Sequence, residues 1–302
     1  MRLGYPCINM TLKPEVNNRT LKAQTLRTKG YDYLCELIIE NMENHLKIIQ
    51  WNHDNDIHVF RLSSELFPFI SHPELGYEVE DLPKSAEILD LLQQVGQLAT
   101  DLNQRLTLHP GPYNVLGSSN KTVVESTIAE LNSHSRLFDL MGFDPSPYNK
   151  INIHIGATYG FKQETIARWV ENFHRLDPNT KKRLTIENDD KATMYSTQDL
   201  YDGIYKAVGI PIVFDIHHHH CYGALQPAEE ALDLAISTWP EGITPVVHYS
   251  ESKSADKPRA HSEYVVGPID FFGRDVDVMI ESKGKDLSLL KYREGVKTLV
   301  SQ

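Results

Sequence analysis

Eight short runs of β-branched and aliphatic residues recur along the chain, and each of the last six delivers a histidine or a carboxylate at or next to its carboxyl end. The runs are Met1–Ile8, Ile57–Leu62, Arg105–His109, Lys150–Ile155, Arg183–Glu187, Pro211–Asp215, Pro245–His248 and Val276–Ile280, each bounded by turn or polar residues as strands are. Between them lie amphipathic segments. From Tyr31 to Trp51, Leu34, Leu37, Ile38, Met42, Leu46 and Ile49 recur at steps that place them on one helical stripe. Ser85 to Leu102 repeats the pattern, and further helices are expected over Thr122–Met141, Lys162–Arg175, Thr197–Val208, Ala228–Thr238 and Leu287–Val300. Strands alternating with helices predict an α/β fold, and a count of eight favours a closed (β/α)8 TIM barrel over a doubly wound open sheet. A chain of 302 residues suits one such barrel of roughly 250 residues, and no Pro/Gly/Ser-rich linker divides it. Residues 1–302 are therefore expected to form a single domain.

The strand ends carry the chemistry. They read Leu108-His109-Pro110-Gly111, Asn152-Ile153-His154, Glu187-Asn188-Asp189-Asp190, Asp215 followed by His217 to His220, His248-Tyr249-Ser250-Glu251, and Ile280-Glu281. In a parallel barrel these ends share one face, where active sites are built. A single histidine in an apolar run is ordinarily a core residue bonded to a carbonyl. Six polar ends on one face are different, because each buried, unpaired group costs a few kcal/mol, and coordination to metal ions satisfies them together. The ligand types are imidazole and carboxylate without thiolate, which suits zinc or manganese. Of the four adjacent histidines, Asp215 and His218 have the spacing to feed two metal positions. On an extended strand, His217, His219 and His220 would alternate away.

Composition excludes several classes. Thirty Lys and Arg against 41 Asp and Glu give a net charge of −11, which disfavours a generally basic nucleic-acid-binding surface but leaves room for a local basic groove. Cys7, Cys35 and Cys221 form neither a disulfide framework nor a zinc-ribbon spacing. No run approaches the ~20 apolar residues of a membrane span, and the start lacks the pattern of a signal peptide. A cytoplasmic enzyme without membrane association is expected. No P-loop or dinucleotide fingerprint is present, so no nucleotide cofactor is expected.

Taken in order, these motifs resemble the UV damage endonuclease family, relatives of endonuclease IV within the xylose-isomerase-like barrels. The resemblance covers most of the chain. It rests on Leu3-Gly4-Tyr5-Pro6 with Asn9, Phe60-Arg61-Leu62-Ser63-Ser64, Phe67-Pro68, Ser71-His72-Pro73 and the strand-end motifs above, together with Arg259-Ala260-His261 and Met279-Ile280-Glu281. It implies up to three divalent ions, manganese foremost, with zinc or magnesium as alternatives. His109, His154 and Glu187 resemble the ligands of one ion. Glu187 would bridge to a second held by Asp215, His248 and Glu281, and a third would use His218 and His261. Glu187 is thus the central catalytic carboxylate, and His72 resembles a site histidine that donates a proton or contacts phosphate.

The implied partner is damaged double-stranded DNA, bound by a monomer. The implied reaction is incision immediately 5′ to a cyclobutane pyrimidine dimer or 6-4 photoproduct, leaving 3′-hydroxyl and 5′-phosphate ends. Divalent ions would activate water and neutralise phosphate charge. A crosslinked dimer stacks poorly and is cheaper to extrude than intact bases. The family's probing loop corresponds to Gly111-Pro112-Tyr113-Asn114, with Tyr113 as an aromatic wedge and Pro112 where relatives often have glutamine. Tyr5 and Asn9 stand where the family contacts the lesion. Some relatives carry a lysine two residues before the histidine of strand seven that can become carboxylated; here that position is Val246.

Positive charge near phosphates is expected from Lys253, Lys257 and Arg259 in the loop before His261, and from Lys283 and Lys285. Lys181-Lys182-Arg183 is expected to be a solvated run at the far end of the barrel. The alternatives are a divalent-metal sugar isomerase or epimerase on the same barrel, which needs fewer ligands, and a non-catalytic damaged-DNA binding protein.

Overall fold

The structure, a computed structural model, describes the whole chain except residues 14, 17, 223–225 and 301–302 and the side chains of 297–300. All eight expected strands form, seven of them shorter than their apolar runs and the seventh in order equal in length and shifted by one residue. The order is β1 (Arg2–Pro6), α1 (Ala23–Asp54), β2 (Val59–Arg61), α2 (Ser85–Asp101), β3 (Arg105–Thr107), α3 (Lys121–Leu140) and β4 (Ile151–Ile153). It continues with α4 (Lys162–Phe173), α5 (Pro178–Arg183), β5 (Leu184–Glu187), α6 (Thr197–Leu200), α7 (Lys206–Val208), β6 (Ile212–Val213), α8 (Ile216–Tyr222) and α9 (Ala228–Ile236). The chain finishes with β7 (Val246–Tyr249), a hairpin of β8 (Ser252–Ser254) and β9 (Lys257–His261), β10 (Asp277–Ile280) and α10 (Lys285–Val300).

The strands pair in parallel as β3-β2-β1-β10-β7 and β4-β5-β6. Two isolated parallel bridges, Leu108 to Ile151 and Asp215 to His248, join these sheets edge to edge. The eight strands thereby pair in a ring, with every carboxyl end on one side. Apolar residues from strands and helices form one main cluster that runs from Leu3 and Tyr5 through Phe60, Leu106, Ile153, Ile186 and Phe214 to Ile280. Close strand packing has a local requirement: a Cβ on Gly4 in β1 would lie 2.1 Å from the Val59 carbonyl oxygen of β2, so only glycine fits.

At the opposite end, Arg105 is fully buried and donates to Asp277 at 2.9 Å and to the carbonyls of Tyr148 and Thr244. Asp277 is shared with Arg2 at 2.6 Å. This ion network ties the base of β1, β3 and β10 together.

Three expectations need correction. The histidine run is the body of α8 and not an extended strand, because the chain turns helical directly after Asp215. Residues 253–260 form most of a two-stranded antiparallel hairpin and not an open loop. Arg183 is fully buried, with Nη1 on the Ser135 hydroxyl and Asp139 and Nη2 on the Phe143 carbonyl. It anchors α5 to α3 and is no part of a solvated face.

Candidate metal centre

Each ligand candidate inherits its position from a strand end. Glu187 closes β5, His248 sits within β7, Asp215 follows β6, Glu281 follows β10, and His109 and His154 follow β3 and β4. The parallel pairing places them around one buried carboxylate. Glu187 Oε2 is 3.1 Å from His109 Nε2 and 3.8 Å from His154 Nε2. Its Oε1 is 3.0 Å from His248 Nδ1 and 3.5 Å from His218 Nδ1. Among the described residues, two groups have ligand atoms mutually close enough for one ion: His109, His154 and Glu187, and Glu187, Asp215 and His248. Glu187 belongs to both.

The donor chemistry fits cations. Glu187 Oε1, Asp215 Oδ2 and His248 Nδ1 are buried and lack an aligned hydrogen-bond partner, although Glu187 and His248 stand only 3.0 Å apart. Such close, unaligned approach of acceptor atoms is expensive unless a cation satisfies them.

Hydrogen bonds to carbonyls fix which nitrogen faces inward, because a carbonyl can only accept. His109 Nδ1 donates to the Pro110 carbonyl at 3.2 Å, His218 Nδ1 to the Asn188 carbonyl at 2.9 Å, and His261 Nδ1 to the Glu281 carbonyl at 2.8 Å. In all three, Nε2 is left as the ligand atom, the usual arrangement around metal-binding histidines. His154 Nδ1 lies 3.1 Å from Asp189 Oδ1, so its Nε2 is likewise the atom turned toward Glu187.

The charges follow from the packing. Burial alone would raise the Glu187 carboxyl, but the imidazoles of His248, His154 and His109 outweigh it and hold that carboxyl well below the usual range. Burial pushes His109 down to about 4. His154 is also buried, yet Glu187 and Asp189 carry it up to about 9. His218, beside Asp215 and Glu187, is raised to about 10. Glu281 is held below its ordinary value because Arg61 and His248 overcome its burial.

Several contributors escaped the sequence reading. Arg61, at the end of β2, donates directly to Glu281, which is itself 3.3 Å from His248 Nδ1. Lys150 is fully buried within the barrel, with Nζ 3.5 Å from His248 Nε2, and burial lowers it to about 7. Asn152 donates to Glu187 Oε2, and Asn188 clasps the Asp215 backbone from both sides, at 3.0 and 2.8 Å. Searching strand ends for ligand types passes over cations and amides. A polar residue inside a predicted barrel strand is the signal that would have flagged Lys150 and Asn152.

Other candidates are placed differently. His218 and His261 are neighbours, with ring centroids 6.5 Å apart, but they complete no third close-packed group among the described residues. Tyr5 and Asn9 are buried: the Tyr5 hydroxyl donates to Asn52 at 2.7 Å and accepts from Asn9 at 2.8 Å. Their observed work is to join β1 to α1, and they present no surface to a duplex, because position at a strand end does not fix the direction of a side chain. His72 Nδ1 accepts the amides of Glu74 and Leu75 at 3.1 and 3.2 Å, so Nε2 carries a proton. With Tyr113, which is 66% exposed, His72 lines a cavity of about 600 Å3 that also contacts Phe67, Phe69 and Ser71. That cavity holds none of the ligand candidates. Pro112, Lys253, Lys257 and Arg259 are exposed.

Fold and cluster define the class: a parallel α/β barrel with a buried imidazole–carboxylate centre able to hold metal ions at the carboxyl ends of its strands. The family described as UV-endonuclease UvdE matches residues 1–300, and the chain belongs to that family and is an enzyme of it. It is 37% identical to a UV-damage endonuclease of Schizosaccharomyces pombe over 96% of its own length, although it spans only 50% of that relative. A UV DNA damage endonuclease of Bacillus cereus (strain G9842) is 34% identical over 96% of this chain and 93% of its own. The crystal structure of SacUVDE superposes with a TM-score of 0.87 at 32% identity, covering 100% of both chains.

Proposed function

We propose that this chain, acting as one domain and as a monomer inside the cell, incises double-stranded DNA immediately 5′ to a cyclobutane pyrimidine dimer or 6-4 photoproduct. The products carry a 3′-hydroxyl and a 5′-phosphate. The observation that carries the reading is the sharing of Glu187 Oε1 and Oε2 between two ligand groups, within a chain of the UV-endonuclease family. His109, His154 and Glu187 would hold one ion, and Glu187, Asp215, His248 and Glu281 a second. His218 and His261 would hold a third through their inward Nε2 atoms. Manganese is the expected metal, with zinc or magnesium able to replace it. Divalent ions in such a site supply an activated water and neutralise charge on the phosphate.

The protein's own share is positioning. Asp189, Pro110, Asn188 and the Glu281 carbonyl hold the four imidazoles in their ligand orientation, and Arg61 keeps Glu281 directed at His248. The Nε2–H of His72 is free to donate to a phosphate or departing oxygen. Tyr113, exposed beside exposed Pro112, would act as a wedge at the lesion. Lys253, Lys257 and Arg259 on the hairpin offer phosphate contacts beside His261.

The test is an end-labelled duplex containing one dimer, incubated with protein and manganese. A single cut 5′ to the lesion is expected, abolished by chelator. Equal cutting of undamaged duplex would refute lesion specificity, and no cutting with manganese, zinc or magnesium would refute the nuclease reading.

A further inference from the structure

Four consecutive histidines on a helix point in four directions, because successive side chains are turned about 100°. On α8, His218 faces the metal centre through Asn188 and Asp215. His219 turns back to the core, against Phe214 and the Gln226 carbonyl, and His220 is exposed. His217 is buried at 3% exposure and belongs to none of these settings. One helical turn on, at i+4 and therefore on the same face, stands Cys221. Its Sγ is 3.8 Å from His217 Nε2.

We infer that His217 and Cys221 form a thiolate–imidazole site for a borderline-soft divalent ion of the zinc class, where α8 meets the hairpin. The separation suits the chemistry. Tetrahedral zinc bonds of about 2.3 Å to sulfur and about 2.0–2.1 Å to nitrogen place the two ligand atoms roughly 3.6 Å apart. The pair needs little rearrangement, since its observed separation of 3.8 Å is close to that value. His261 packs edge-on against His217, with centroids 5.3 Å apart. The thiol itself is half-buried and contacts the Pro258 carbonyl at 3.3 Å, so β9 of the hairpin would be fastened to the barrel. Binding releases the Cys221 thiol proton to solvent. Thiolate selects zinc over manganese, so this position would differ in metal preference from the oxygen-rich centre around Glu187.

The test is optical. The full chain, stripped with chelator, is titrated with cobalt(II), which gives a near-ultraviolet charge-transfer band only when a thiolate is a ligand. The band is expected in the native chain, retained in Cys7→Ser, reduced at least twofold in His217→Gln and absent in Cys221→Ser, and zinc should displace it. A native chain that never shows the band, or a band of full strength in Cys221→Ser, overturns the inference. Should Cys221→Ser not fold, X-ray absorption of the zinc-loaded native chain decides: a sulfur contribution supports the site, and nitrogen and oxygen alone overturn it. Incision is not the readout, so failure here leaves the nuclease proposal separately testable.

Discussion

Replacing Glu187 with glutamine keeps the shape of the side chain and removes one charge, at the single residue common to both ligand groups of the described residues. Two unit charges 4 Å apart interact by about 4 kcal/mol at an effective dielectric of about 20. A divalent ion bound directly to this carboxylate would be closer and doubly charged, so about 4 kcal/mol is a floor for the attraction lost, equivalent to roughly a thousandfold in affinity. Both positions should weaken together because Oε1 and Oε2 face different groups, His248 on one side and His109 on the other. The metal-free fold should change far less, since glutamine still accepts from Asn152. Three measurements on Glu187→Gln check this: manganese content after equilibrium dialysis, single-turnover incision of the dimer duplex, and the urea midpoint in chelator. The expected result is manganese content and incision lowered by at least two orders of magnitude, with the midpoint little moved. A variant that retains native manganese content would refute the bridging role, and one that unfolds in chelator would refute the claim that the charge serves the ions more than the fold.

Acidity should separate fold from metal binding. In chelated protein, His154 and His218, raised to about 9 and about 10 from 6.5, contribute stability that is fully present below pH 6.5 and is lost as pH rises through those values. Manganese must displace the same protons, so its affinity should rise over that window, with proton release detectable in weakly buffered titrations. Parallel trends would contradict the assignment. Tyr113→Ala should bring the ratio of damaged to undamaged cutting toward one while manganese content stays native; an unaltered ratio would remove the wedge role. Arg105→Met strips one partner from a buried ion network and should lower stability by about 3–5 kcal/mol, read as a drop in urea midpoint with unchanged slope. A midpoint near native would show that Arg2 alone satisfies Asp277.

Much of the barrel was legible because strand and helix periodicity are local properties. Every apolar run became a strand, and the helix expected over Thr197–Val208 formed over those bounds, interrupted by a π-turn at Tyr201–Tyr205. Helix α1 begins earlier than the apolar stripe suggested, and it is kinked at Gly30, which has φ of 77°. The convergence of the ligand candidates could be read from strand ends because parallel pairing brings all carboxyl ends to one face whatever the loops do. The histidine run could not: whether four such residues alternate as a strand or fan out as a helix depends on where β6 stops, and that is decided by the bridge from Asp215 to His248.

Side-chain direction and burial belong to the tertiary structure. Tyr5 and Asn9 stand where the resemblance implies lesion contact, but the packing of α1 against β1 turns the Tyr5 hydroxyl inward onto Asn52, with Asn9 donating to it. Arg183 looks like part of a basic surface, and the junction of α3 and α5 buries it. The sequence by itself determined the eightfold alternation and which residue types gather at the carboxyl ends, because both follow from local pattern and the direction of parallel strands. Only the tertiary structure decided that Arg61 and Lys150 face the ligand groups around Glu187 and that Tyr5 and Arg183 turn inward. Those relations depend on distances between segments far apart in the chain, which closure of the barrel alone sets.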